Sequence, residues 1–110
     1  MDGISLKIEQ GKTLGVVGES GCGKTTLAQS VLKLIPASGR ISFLNHALVG
    51  MNEREMRPLR KHLQVVFQDP YGAFNPRMTV GKLIREGMDS LNVGEPSHRD
   101  ARVAELLILV

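Results

Sequence analysis

One unbroken run carries the sharpest chemistry in this sequence: Gly18, Glu19, Ser20, Gly21, Cys22, Gly23, Lys24, Thr25 and Thr26. Gly21 and Gly23 have no Cβ, so the backbone can take conformations closed to other residues and press its N–H groups against an anion. Lys24 adds an ammonium and Thr25 a hydroxyl of the kind that binds a hard divalent cation. The run fits G-x-x-x-x-G-K-S/T. In that pattern backbone amides cradle phosphates, the Lys reaches the β- and γ-phosphates, and the Ser/Thr hydroxyl binds the Mg²⁺ that bridges them. The amides add to the positive end of the helix that follows.

Such a loop is informative only between a strand and a helix. Leu14 to Val17 is an apolar run on one side, and Leu27 to Leu32 reads as helix on the other. Ile4, Leu6 and Ile8 alternate with polar residues, which predicts a half-buried strand over 4–8. Gln10, Gly11 and Lys12 turn the chain into a second strand, 13–17, buried on both faces. After the loop, Leu27, Ala28, Val31, Leu32 and Ile35 mark the inner face of a helix expected to stop near Pro36. A turn at 37–39, a short strand at 41–43 and a turn at Asn45-His46 before 47–49 follow.

Residues 51–62 are polar and helix-prone, with Pro58 expected in a first turn or at a break. Their basic groups, Arg54, Arg57, Arg60, Lys61 and His62, are offset by Glu53 and Glu55, which favours a solvated face over an anion patch. Leu63 to Phe67 reads as a further buried strand, ending in Gln68-Asp69-Pro70; residues 71–77 are loop. Thr79 can cap a helix whose inner face is Val80, Leu83, Ile84, Met88 and Leu91. Asn92 to Pro96 breaks it. Ser97 and Asp100 have capping-box spacing before a last helix bearing Val103, Leu106, Leu107 and Val110. The sequence ends inside that apolar run with no stop signal, as a truncated chain would.

A length of 110 residues allows one domain at most, and the hydrophobic share of 42% is ordinary for a globular one. The net charge of +3 suits an anionic ligand, but no basic stripe interleaves with aromatics, so no nucleic-acid partner is expected. Cys22 stands alone, which fits a reducing, cytosolic setting, and a spacer role in the loop is favoured over a redox switch. No stretch approaches the ~20 apolar residues of a membrane span, and no signal peptide opens the chain. The second metal-side group is either Asp69, as the acid of a small P-loop kinase or GTPase, or Gln68, which leaves the strand first.

VVFQDPYGAFNPRMTV, Val65 to Val80, resembles the Q-loop region of ABC-transporter ATP-binding subunits, especially the branch serving oligopeptide and dipeptide importers. GESGCGKTT at Gly18 to Thr26 and DGISLKIEQGKTLGVVGESG before it are similar to the same branch, and the resemblance runs from Asp2 to Val110. It implies an α/β P-loop NTPase fold: the N-terminal portion of a RecA-like core with an ABC-type antiparallel β element, plus the start of the helical subdomain. Residues 1–70 would be the ATP-binding core, with Walker A and Q-loop, and 71–110 the opening of the helical subdomain. It further implies that Gln68 touches Mg²⁺ or positions the attacking water, that Lys24 and Gln68 serve catalysis, and that Gly18 to Thr26 hold ATP. The parent protein would pair with a second ATP-binding subunit and meet transmembrane permease subunits through the loop 69–79. It would sit in the cytoplasm on the inner face of the membrane and hydrolyse ATP to drive import of peptides or similar solutes.

The sequence departs from that pattern in having no LSGGQ-like signature and no apolar run ending in Asp-Glu. His46, His62 and His98 are misplaced for a switch His, and no aromatic precedes the first strand to stack on adenine. A chain of this kind should hold phosphates and Mg²⁺ without hydrolysing ATP at a useful rate, and its unpaired apolar strand edges should favour aggregation. The P-loop kinase, a DNA-associated ABC-type ATPase and a passive nucleotide-binding fragment stay open as alternatives.

Overall fold

The computed structural model describes residues 3–110, so Asp2, where the resemblance begins, lies outside them. The chain divides into two compact units, residues 1–50 and 51–110.

In the first unit Gly11 takes φ 74° and the Lys12 N–H donates to Glu9 O at 3.0 Å, the turn its glycine predicts. Helix α1 spans Lys24–Val31. It stops before Pro36 is reached, because Lys33 turns left-handed at φ 57°. The Leu34 N–H then reaches back to Gln29 O at 2.8 Å, and Lys33 N–H to Ser30 O at 3.1 Å. That pair of bonds is the Schellman closure, which satisfies the last helical carbonyls without proline. Strands β1 (Ser42–Phe43) and β2 (His46–Ala47) form an antiparallel hairpin with Phe43 opposite His46. Leu44 and Asn45, both at positive φ, make its two-residue turn, so the turn lies one residue earlier than Asn45-His46. Leu48 N–H continues the pairing to Ile41 O at 2.8 Å, and Leu48 is completely buried.

The strands expected over 4–8, 13–17 and 63–67 are not formed among the described residues. A strand exists through its ladder, and an apolar strand buried on both faces needs neighbours on each side. No such neighbour is formed among the described residues. Val17 is 97% exposed and Val66 95%.

In the second unit α2 (Glu53–Arg60) starts with a capping box that the sequence reading missed. Asn52 Oδ1 accepts from Glu55 N–H at 2.9 Å, and Glu55 Oε2 accepts from Asn52 N–H at 2.7 Å. Pro58 lies inside this helix rather than in its first turn. Having no N–H, Pro58 cannot serve the carbonyl of Arg54 four residues earlier, but Arg54 is exposed, so water can take the place of that one bond. Met56 and Leu59 are buried while Arg54 and Arg57 face water, and Arg60 pairs with Glu53 at 3.0 Å.

Helix α3 (Val80–Ser90) is capped by Thr79, whose hydroxyl accepts from Lys82 N–H at 3.4 Å. A second Schellman closure at Asn92 (φ 51°) ends it: Val93 N–H donates to Met88 O at 2.9 Å. Helix α4 (Arg99–Leu109) packs against α3. Its predicted capping box is absent. Ser97 falls inside the 3₁₀ turn Pro96–His98, so the cap position passes to His98, and Asp100 bonds to Arg85 instead. The hairpin is held by Arg99, whose side chain is 7% exposed. Its guanidinium donates to Val93 O at 3.0 Å, Asp89 Oδ1 at 2.7 Å, Asn92 Oδ1 at 3.0 Å and Gly94 O at 3.1 Å. No helix among the described residues is long and apolar enough to cross a membrane.

Candidate phosphate-binding site

Gly21 takes φ 81° and Gly23 φ 99°, ψ 13°, both in the left-handed region that a side chain disfavours. Gly23 is the N-cap of α1 and offers no side-chain acceptor to the helix. The first intrahelical bond is Leu27 N–H to Gly23 O at 2.9 Å, which leaves the N–H groups of Lys24, Thr25 and Thr26 without a helical acceptor. No acidic residue sits in the first turn to neutralise that positive end.

The Lys24 ammonium folds back into its own loop. Nζ donates to Gly18 O and to Glu19 O, each at 2.7 Å, and lies 3.6 Å from Cys22 Sγ. An ammonium has three donors, so the loop alone engages all of them. Glu19 O also accepts from Cys22 N–H at 3.3 Å, which tightens the loop around the charge. Gly18 is closely approached too: a Cβ there would stand 2.6 Å from Cys22 Sγ. Thr25 and Thr26 are exposed, as are Glu19 and Ser20, and Thr26 O accepts from Ser30 Oγ at 2.7 Å.

Thus Gly18, Glu19 and Cys22 are brought together around the Lys24 ammonium. Gln68 belongs to the second unit, where it is exposed just after 63–67. Its neighbour Asp69 turns back on the chain, Oδ1 accepting Tyr71 N–H at 3.1 Å. Sequence reasoning missed Cys22 as a group facing the ammonium and Arg99 as a buried anchor. The first depends on loop closure and the second on two helices meeting, and neither leaves a motif.

A left-handed glycine at a helix N-cap, first-turn amides without a helical acceptor and a lysine at the first helical position match the pattern of a phosphate-binding loop of the NTPase kind. The ABC transporter family matches residues 1–110, and the chain belongs to that family, which brings with it the P-loop NTPase fold. It is 50% identical over 111 aligned residues to a peptidoglycan transport ATP-binding protein of Agrobacterium fabrum, covering 97% of this chain and 20% of that protein. Over 87 residues it is 47% identical to the oligopeptide transport ATP-binding proteins of Salmonella typhimurium and Escherichia coli, covering 78% of this chain and 26% of each. The chain therefore spans about a fifth to a quarter of the length of these curated relatives. No solved structure matches it.

Proposed function

We propose that this chain is the ATP-binding segment of an ABC importer subunit, which holds MgATP to energise uptake of peptides or similar solutes. The observation that carries the reading is the loop 18–26: two left-handed glycines, three acceptorless amides and an ammonium inside one turn of chain. In this reading Lys24 and the amides of Gly21 to Thr25 stabilise charge on the β- and γ-phosphates, and Thr26 reaches the α-phosphate. The Thr25 hydroxyl and the Gln68 amide oxygen serve Mg²⁺, and Gln68 senses the γ-phosphate. When bound, the cation neutralises charge between the phosphates. The loop fits this ligand. A phosphate oxygen carries formal charge, so it competes well with the neutral carbonyls of Gly18 and Glu19 for the Lys24 donors.

The finer architecture belongs to the same proposal: a RecA-like core with an antiparallel β element over 1–70, and the opening of the helical subdomain over 71–110. A second ATP-binding subunit is the dimer partner. Permease subunits dock through the loop 69–79 and hold the protein at the inner face of the membrane. The names of the relatives, which are transport ATP-binding proteins for peptidoglycan and oligopeptides, support import of a peptide-like solute. Family membership favours this over the free-standing kinase, and Asp69 is engaged with the Tyr71 amide.

Calorimetric titration with MgATP and MgADP tests the reading. Saturable binding is expected, weakened about 10- to 150-fold in Lys24→Ala, the equivalent of one charge-assisted hydrogen bond. No binding at millimolar nucleotide, with Lys24→Ala indistinguishable from the parent, refutes it. A phosphate-release assay on these 110 residues with excess MgATP should show no steady turnover.

A further inference from the structure

Residues 10–52 contain a single acid, and it stands inside the anion-binding loop: Glu19, between Gly18 and Ser20. A negative charge there works against the loop's own electrostatics, since the first-turn amides and the Lys24 ammonium favour anions. The loop leaves that charge unmet. Lys24 Nζ donates to the backbone carbonyls of Gly18 and Glu19, each at 2.7 Å, and not to the Glu19 carboxylate. No cation among the described residues pairs with that carboxylate, and Glu19 is exposed. Covalent geometry bounds its distance from the ligand site. A Glu carboxylate lies at most about 7 Å from its own carbonyl oxygen. That oxygen is 2.7 Å from Lys24 Nζ, so the negative charge stays within about 10 Å of the ammonium. The screening length at ordinary ionic strength is about 8–10 Å, so the charge is felt where phosphates would lie.

We propose that the Glu19 carboxylate is a specificity-determining group: it repels nucleotide in proportion to charge and so selects the cation-loaded triphosphate over the bare one. The proposal rests on the reading of residues 18–26 as the nucleotide loop. Fully ionised ATP carries four negative charges, and Mg²⁺ cancels two of them. Two extra charges facing one carboxylate at about 10 Å in water change affinity about fourfold by Coulomb's law. Bare ATP lacks the cation that phosphoryl transfer requires, so a loop with no acid would be open to an unproductive ligand. Glu19 thus gives up some affinity for every nucleotide and gives up most for the wrong form.

The test titrates the full-length protein with ATP in a slight excess of Mg²⁺ and with ATP in EDTA, at matched ionic strength and about pH 8, above the last phosphate pKa near 6. Each titration is run at about 10 mM and at about 1 M salt, where the screening length is about 30 Å and about 3 Å. The unsubstituted protein, Glu19→Gln and Glu19→Asp are compared. At low salt Glu19→Gln, which keeps the shape and removes the charge, should bind both forms more tightly than the parent. Its ratio of MgATP to bare-ATP affinity should fall about fourfold. Glu19→Asp, which keeps the charge, should keep the parental ratio. At high salt all three proteins should share one ratio. An unchanged ratio in Glu19→Gln at low salt, with MgATP still bound, overturns the proposal. A change that survives high salt overturns it too, because charge acting at a distance would have been screened. Weaker MgATP binding in Glu19→Gln does the same, by making the carboxylate a ligand of the cation. Failure of the nucleotide reading is separate: it shows as absent MgATP binding in the unsubstituted protein, and the proposal falls with it.

Discussion

Replacing Arg99 by Ala removes the group that ties the end of α3 to the start of α4. Its guanidinium serves the carbonyls of Val93 and Gly94 and the side-chain oxygen of Asn92, all within 3.1 Å, and the side chain is 7% exposed. Counting about 1 kcal/mol for each of these three bonds gives roughly 3 kcal/mol. The fourth bond, to Asp89, is left out of the sum because that carboxylate is 46% exposed and water screens it. Native-state hydrogen exchange reads the effect directly: α3 and α4 amides protected by this hairpin should exchange roughly a hundredfold faster in Arg99→Ala. Arg99→Met, which keeps the stem and loses the donors, should behave nearly like Ala. Arg99→Lys, a single point donor, should fall between. If Arg99→Met retains parental protection, packing of the stem and not the hydrogen bonds holds the hairpin, and the reasoning fails.

Asp89 supplies a pH dependence. The Arg99 guanidinium hydrogen-bonded to it, with Arg85 assisting, holds its carboxyl below the ordinary carboxylate value. Because the folded value is depressed, the ion pair's contribution is present above the usual aspartate range, near pH ~4, and is lost as pH falls through the lower folded value. Helix content followed by circular dichroism during acid titration should drop in that window, and Asp89→Asn should flatten the response. Gly23→Ala forces a side chain into φ 99°, a strain of about 1–2 kcal/mol; MgATP affinity should fall roughly 5- to 30-fold. Gly15→Ala, which meets nothing within 4 Å, should leave affinity unchanged. Asn52→Ala removes half of the α2 capping box and should cost about 1 kcal/mol of helix stability in thermal melts, with Asn52→Asp restoring most of it.

What the sequence determined alone is whatever a few adjacent residues can settle among themselves. Gly11 and Gly23 take positive φ where a turn and a helix N-cap need it, Thr79 caps α3, and Lys24 stands first in α1 because its loop precedes a helix former. Even there, register slipped by one residue at Leu44-Asn45 and at His98, since capping and turn patterns tolerate neighbouring alignments. Tertiary structure decided the rest. That Arg99 is buried depends on α3 meeting α4. The apolar runs at 13–17 and 63–67 read as strands, yet a strand is a relation between segments: its backbone groups are satisfied by another stretch of chain, not by its own side chains. Side-chain pattern fixes which segments are suited to such pairing. Only the arrangement in space says whether a neighbour arrives.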